Sequence, residues 1–246
     1  MRKGLVGYTG FVGSNCDLTS YNDLINSKNI KDYRNEQFDL LVVAAGDARK
    51  WFANSNPKLD VKNLSGLFFD LIKIKTKKII YFSSIDIYGN NSVNENDFEI
   101  KNHPYGINRF WMENLIKNHF DDVSIIRLGG LFGKNLKKNL IFDGINKRLD
   151  QIENYNLEST FQFFNLNHIE LLIEEIILKK IPIINAVSEP ITTKEILNTI
   201  DLDFSELNFS SNKVSYNIKT LYRKTGYLYN KKEILQNLRN FFNDYR

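Results

Sequence analysis

Several residue types are scarce in this chain, and each shortage removes a class of explanation. One cysteine, Cys16, stands among 246 residues, so no disulfide can form within the chain. A redox role would need an activating neighbour that the sequence does not show, and Cys16 is expected as a buried helix residue. Three histidines, His103, His119 and His168, are scattered. With a single cysteine they make no metal-ligand spacing, so no metal site is expected. No run of about 18 apolar residues exists, which excludes a membrane-crossing helix. The first ten residues, MRKGLVGYTG, carry two basic residues, but Gly4, Gly7 and Gly10 interrupt the apolar stretch too early for a leader. They are expected as a first strand, and a cytoplasmic location is the matching expectation. The net charge of +4 is too small an excess for a nucleic-acid partner. Internal repeats, low-complexity runs and Gly/Ser linkers are absent too.

What remains is ordinary globular composition, 42% apolar and 25% charged. Short apolar runs at 4–8, 21–25, 38–45, 78–83, 123–128 and 182–187 read as strands. Near-continuous apolarity suits strands covered on both faces. Helical stretches are expected between them at 11–18, 57–75 and 105–120. Pro57 suits a first helical turn with Asn56 as cap, and Pro104 does the same for the next helix. Alternating strands and helices predict an α/β fold with a doubly wound parallel sheet. Residues 1–133 plus 181–188 would form its core. Residues 134–180 and 189–246 would form a small, mostly helical lobe, closed by an amphipathic helix over 230–243.

The strongest motif is Gly7-Tyr8-Thr9-Gly10-Phe11-Val12-Gly13, between the first strand and a predicted helix. Glycines there permit a tight turn and a close backbone approach to a pyrophosphate, and a helix N-terminus would add amide donors. Dinucleotide binding is therefore expected at Gly7, Thr9, Gly10, Phe11, Val12 and Gly13.

The GxxGxxG spacing resembles that of the extended short-chain dehydrogenase/reductase superfamily, the NAD-dependent epimerase/dehydratase-like proteins. Further segments follow in that family's order. Ala44-Ala45-Gly46 resembles its Ala-Ala pair beside the cofactor, and Asn63-Leu64-Ser65-Gly66 its Asn-x-x-Gly. Ser83-Ser84-Ile85-Asp86-Ile87-Tyr88-Gly89 resembles its Ser-Ser-x-x-Val-Tyr-Gly strand end. Tyr105 to Arg109 stands where the family has Tyr-x-x-x-Lys, and Arg127 to Gly133 resembles its Arg-Pro-x-x-x-Tyr-Gly segment. Arg49 to Asn54, Tyr-x-x-x-Arg and Leu136 to Asn139 point to a small subgroup related to sugar-nucleotide epimerases and dehydratases.

The resemblance implies a Rossmann-type fold, an NADP or NAD cofactor and a nucleotide-linked sugar as substrate. It implies Ala44, Ala45, Gly46, Asn63, Tyr105 and Arg109 at the cofactor, and a homodimer through helices 57–75 and 105–120. Tyr105 and Arg109, four apart on a helix, share one face. A cation beside a phenol lowers its pKa, so Tyr105 is expected to exchange a proton with a substrate oxygen. Ser84 would bind that oxygen, and Asp86 is either a second acid/base or a turn acid. Arginine cannot replace lysine as a proton relay. No acid follows the second strand. Ser27 and Lys28 there, with Arg34 further on, suit a 2′-phosphate, and the reading leans to NADP. This region is also short for the family, as if one strand–helix unit were missing.

The stretch 134–148 holds Lys134, Lys137, Lys138, Lys147 and Arg148 against Asp143, a basic mouth suited to a diphosphate. Asn139 and Gln162 are expected to bond the sugar or nucleotide. Trp51 and Trp111 are expected as packing residues. The favoured activity is reduction of a keto group. The alternatives are an epimerase with tightly held NAD and a catalytically silent dinucleotide-binding protein.

Overall fold

The computed structural model describes residues 1–89, 92–97 and 103–245. Six strands form one sheet: β1 (Lys3–Val6), β2 (Asp23–Ile25), β3 (Gln37–Val43), β4 (Lys75–Ser84), β5 (Val123–Leu128) and, far later in the chain, β9 (Ile183–Ala186). The order is β2-β1-β3-β4-β5-β9, and the first five strands pair in parallel. Leu5 on β1 lies between Leu24 of β2 and Val42 of β3. Chain direction across the sheet reverses between β1 and β3, which makes that crevice the switch point where ligands bind in such sheets. Leu5, Leu41, Val42, Ile79 and Ile80 are fully buried, as strands covered on both faces require.

Between β3 and β4 run α1 (Lys50–Ser55) and α2 (Pro57–Leu71); α3 (Pro104–His119) precedes β5. Pro57 and Pro104 both open their helices, where the missing amide costs nothing. His103 caps α3, its Nδ1 accepting the Gly106 amide at 3.1 Å. Asn56 does not cap α2; its side-chain amide turns back to the Phe52 carbonyl at 3.3 Å.

The helix predicted over 11–18 is replaced by two short 3-10 turns, Gly13–Asn15 and Leu18–Ser20. Another 3-10 turn, Ile30–Tyr33, is all that separates β2 from β3. Three glycines and two asparagines within residues 7–22 explain the first loss, because each costs helix propensity. The expected shortening is thus real, and β3 sits directly beside β1. A later helix, α6 (Ile169–Lys179), braces the turns: Glu170 accepts the Asp17 amide at 3.0 Å and the Tyr21 hydroxyl at 3.1 Å. Cys16 is buried there as expected, but in a turn rather than a helix. Burial, then the nearby Glu170, pushes its thiol up to about 12.

The chain divides into two compact units. The first comprises Met1–Asn90, Asp97–Leu128 and Asn167–Ile184, so α6 belongs to the core rather than to the lobe expected over 134–180. The second holds β6 (Gly130–Phe132), α4 (Leu140–Ile145), α5 (Leu149–Ile152), β7 (Thr160–Phe161), β8 (Phe163–Asn165), β10 (Ile191–Thr192), α7 (Thr193–Thr199) and α8 (Lys231–Tyr245). It is more mixed than the mostly helical lobe predicted. β6 pairs with β8 and β7 with β10, and residues 203–230 carry no helix. The helix predicted over 230–243 is α8, burying Ile234, Leu238, Phe241 and Phe242.

In the first unit a buried ion pair joins α3 to β5. Arg127 Nε and Nη2 donate to the two Glu113 carboxylate oxygens at 3.0 and 2.7 Å, and its Nη1 donates to the Tyr88 hydroxyl at 2.6 Å. Both charged side chains are at most 3% exposed. Removing one partner strands the other charge. Glu113→Ala is therefore expected to lower the unfolding free energy by about 3–5 kcal/mol, measured by urea denaturation.

Candidate active site

The carboxyl ends of β1, β2 and β3 surround a cavity of about 410 Å³ at the switch point. Val6, Gly7, Thr9 and Gly10 form one wall, Ala44, Ala45, Gly46 and Asp47 the next, and Asn26 and Ser27 a third. Helix α2 closes the cavity with Asp60, Asn63, Leu64, Leu67 and Asp70. Most of the cofactor residues expected from sequence thus converge here. Phe11, Val12, Gly13, Lys28, Tyr105 and Arg109 are not in the lining. Phe11 and Gly13 shape the loop instead: the Phe11 carbonyl accepts the Asn15 side-chain amide at 2.7 Å. A side chain on Gly13 would collide with the Gly7 carbonyl, and Gly7 itself sits at φ +90°. With only a 3-10 turn behind the loop, no helix N-terminus is available to hold a phosphate. That part of the expectation is corrected, leaving the loop's own backbone.

The size is that of a ligand cleft. Ile30, Leu64 and Leu67 give it an apolar side fit for a planar base, and Gly10 and Gly46 leave room for close approach. These residues fit a dinucleotide. The lining carries Asp47, Asp60 and Asp70 and, among the described residues, no lysine or arginine. Arg34 faces Asp70 at 3.6 Å, and Lys28 is exposed.

Tyr105 and Arg109 stand on α3 as predicted. The phenol is 8% exposed, and the Arg109 guanidinium carbon lies 4.5 Å from its ring centroid. Arg109 is itself 4% exposed and fully engaged. Its Nη1 and Nη2 donate to the Asp60 carboxylate at 3.1 and 3.0 Å, and Nη2 donates to the Asp47 carbonyl at 2.6 Å. Asn108 adds a bond to Asp60 at 2.8 Å. Because Asp47 and Asp60 also line the cavity, this network forms its rim. Burial pushes the Tyr105 phenol above the ordinary tyrosine range. Arg109 and Ser84 both pull it down, and Asp86 adds to the rise. The expected lowering by the neighbouring cation is present but outweighed by desolvation.

Ser84 ends β4 and accepts the Asp86 amide at 3.1 Å. Asp86 accepts from Lys50 Nζ at 2.8 Å, and the Asn54 side chain accepts the Tyr105 amide at 3.0 Å. The site thus gathers Ser84, Asp86, Tyr105 and Arg109, as read from sequence. It adds Asp47, Lys50, Asn54 and Asp60, which were missed. Asp60 had a sequence signal: it lies four residues before Leu64 on the buried stripe of α2, an acid where an apolar residue belongs.

The residues expected at a sugar lie in the second unit. Lys137 and Lys138 are exposed. Asn139 caps α4, accepting the Phe142 amide at 3.0 Å and donating to the Leu131 carbonyl at 2.8 Å. Gln162 is 2% exposed; it donates to the Ser188 and Ile218 carbonyls, each at 2.7 Å, and accepts the Ile218 amide at 2.6 Å. It holds backbone rather than ligand. Trp51, expected to pack, is 62% exposed, whereas Trp111 packs against the core as predicted. Among the described residues no cluster of metal-ligating side chains is present, and no helix is long and apolar enough to cross a membrane.

The buried phenol has a measurable signature. Tyr105 should ionise above free tyrosine, about pH 10, in a tyrosinate absorption titration of wild type minus Tyr105→Phe. Arg109→Gln should move it higher. The native state keeps this phenol neutral after the unfolded chain has begun to ionise. Its contribution to stability is therefore complete below the unfolded value and declines as pH rises through the folded one.

No protein-family model matches the sequence, and no curated protein does. Solved structures do match. The dTDP-4-dehydrorhamnose reductase of Yersinia enterocolitica is 16% identical over 98% of this chain and 100% of its own, with a TM-score of 0.72. RMD from Pseudomonas aeruginosa, solved with NADPH, is 15% identical over 100% and 99%, with a TM-score of 0.75. The UDP-N-acetylglucosamine 4-epimerase of Methanobrevibacter ruminantium M1, solved with UDP-N-acetylmuramic acid, is 16% identical over 99% and 97%, with a TM-score of 0.76. At these identities the likeness establishes the fold, which agrees with the resemblance read from the sequence.

Proposed function

We propose that the protein is a nicotinamide-dinucleotide-dependent oxidoreductase that reduces a keto group on a nucleotide-linked sugar. The observation that carries this reading is that Asp47 and Asp60, which line the switch-point cavity, bind Arg109, against which the Tyr105 ring lies. The loop Gly7–Gly13, Ala44–Gly46 and Asn63 would hold the dinucleotide, whose chemistry when bound is hydride transfer. Ser84 would orient the substrate oxygen and Tyr105 would supply its proton. Arg109, fixed by Asp60, holds the ring of Tyr105 and favours its ionised form. The printed names of similar structures, reductases and epimerases of nucleotide-linked sugars, support that substrate class. Leu59 and Phe69 of α2 and Ile107 of α3 are exposed apolar residues that a homodimer would cover.

The test is a titration with NADPH and NADH, followed by energy transfer from Trp51 and Trp111. Saturable binding of either supports the reading; binding of neither overturns it. With a keto-sugar nucleotide as substrate, Tyr105→Phe should lower turnover by about 10²–10⁴-fold without weakening nucleotide binding. A variant that turns over like wild type would remove Tyr105 from the chemistry. Arg34 already faces Asp70, which leaves the exposed Lys28 as the cation for a 2′-phosphate. Lys28→Ala should therefore raise the Kd for NADPH and leave that for NADH unchanged. A second reading, a silent dinucleotide-binding protein, draws on the burial of Tyr105. Cofactor binding without turnover of any keto-sugar nucleotide would select it.

A further inference from the structure

We infer that Asp70 selects adenine as the second base of the dinucleotide, and that α2 sets which way round the dinucleotide lies. The inference rests on the nicotinamide-dinucleotide reading. It adds a base-reading residue that none of the sequence motifs contains.

Five residues of α2 line the cavity at intervals of one to three: Asp60, Asn63, Leu64, Leu67 and Asp70. Steps of three and four along a helix keep them on one face. From Asp60 to Asp70 this stripe runs about 15 Å at 1.5 Å per residue, the scale of two nucleosides joined through a pyrophosphate. Its two ends differ. Asp60 binds Arg109, against which the Tyr105 ring lies, so that end belongs to the reacting nicotinamide. Asp70, in the last turn of α2, faces the segment after β2. Arg34 lies 3.6 Å from its carboxylate, and the Asn35 amide donates to the Lys73 carbonyl at 2.7 Å. Strand β1, whose glycine loop would meet the pyrophosphate, lies between β2 and β3 in the sheet. The second base therefore falls at the β2 end, beside Asp70.

The three lining acids are not equivalent. Asp47 accepts from Arg49 Nε at 2.9 Å, and Asp60 accepts from Arg109 and Asn108. Among the described residues nothing donates a hydrogen bond to the Asp70 carboxylate, and Arg34 pairs with it only at 3.6 Å. The Asp70 side chain is 22% exposed, sheltered yet within reach of a ligand. Asn26, the amide at this end, is already spent. Its side-chain oxygen accepts the Lys28 amide at 2.8 Å, and its nitrogen donates to the Tyr8 hydroxyl at 3.1 Å. The Ser27 hydroxyl both donates and accepts, so it does not discriminate. Ile30 and Leu67 supply apolar walls for a planar ring.

Apolar walls ending in an unbonded carboxylate call for a flat base with an exocyclic N–H. Adenine offers its 6-amino group as that donor. Hypoxanthine and guanine carry a carbonyl oxygen at the same position. An oxygen set against a carboxylate leaves both acceptors unpaired and repelling one another.

The experiment compares NADH and NADPH with their hypoxanthine counterparts, in which the 6-amino group is replaced by oxygen. Binding to the intact chain is followed by energy transfer from tryptophan, for wild type, Asp70→Asn and Arg34→Ala. Wild type should bind the adenine form about tenfold or more tightly than the hypoxanthine form. Asp70→Asn should erase or reverse that preference, because a carboxamide can donate to the hypoxanthine oxygen. A general loss of structure would weaken both forms alike and leave their ratio unchanged. Arg34→Ala removes the ion pair but not the acceptor, and should keep the preference. Equal binding of the two forms by wild type overturns the inference and leaves the oxidoreductase reading standing. So does a preference that survives Asp70→Asn or disappears in Arg34→Ala. The wild-type comparison needs no variant to fold. Binding of none of the four dinucleotides sinks the oxidoreductase reading, and the inference with it.

Discussion

The buried ion pair between Arg109 and Asp60 is the contact on which the site depends. Asp60 comes from α2, Arg109 from α3, and the Asp47 carbonyl that completes the guanidinium shell comes from the chain leaving β3. Three segments, contiguous only in space, are locked by one planar fork. The fork also fixes the ring of Tyr105, which stacks on it. Removing both charges from water costs several kcal/mol per ion, and only complete hydrogen bonding offsets that cost. Asn108 contributes to this by occupying a further position on the Asp60 carboxylate. The pair is thus better understood as a means of holding geometry than as a source of stability.

The commitment of Arg109 to Asp60 has a chemical consequence. A cation bound on three sides cannot move to a ligand without abandoning a buried carboxylate. It sets the field at Tyr105 and the rim of the cavity. The same division recurs below the site. Arg127 and Glu113 are fully paired in the interior, and the Tyr88 hydroxyl ties the turn after β4 to that pair. Ser84 and Asp86 therefore sit on a turn anchored at its far end.

The other organising constraint is the shortened start of the fold. Where two crossover helices would cover one face of the sheet, the chain has 3-10 turns. Helix α6 compensates through Glu170, which takes both a turn amide and the Tyr21 hydroxyl. Burial holds the Glu170 carboxyl above the usual carboxylate range, consistent with an acid used as an interior acceptor. The glycine loop keeps its shape without a helix behind it, because Gly7 adopts a positive φ and Gly13 packs against the Gly7 carbonyl.

Much of this was legible in the sequence because it depends on local chemistry. Apolar runs of strand length and prolines at helix starts are short-range signals, and they placed all six sheet strands along with α2, α3 and α8. The glycine spacing, the Ser84 strand end and the Tyr105–Arg109 repeat located the site. The helix over 11–18, expected from the alternation of strands and helices, gave way to the poor helix propensity of the same residues. Asn139 and Gln162 were misassigned for a different reason. A polar side chain looks the same in sequence whether it meets a ligand or a buried backbone group, and only packing shows that these two are spent on carbonyls and amides. Asp60, Asp47 and Lys50 are up to 62 residues from the groups they bond, a separation at which no periodicity carries information. The sequence by itself determined the strands, their parallel α/β arrangement and the residue types at the site. The tertiary structure decided which charges pair, because pairing in a low-dielectric interior depends on distances that only the folded chain defines.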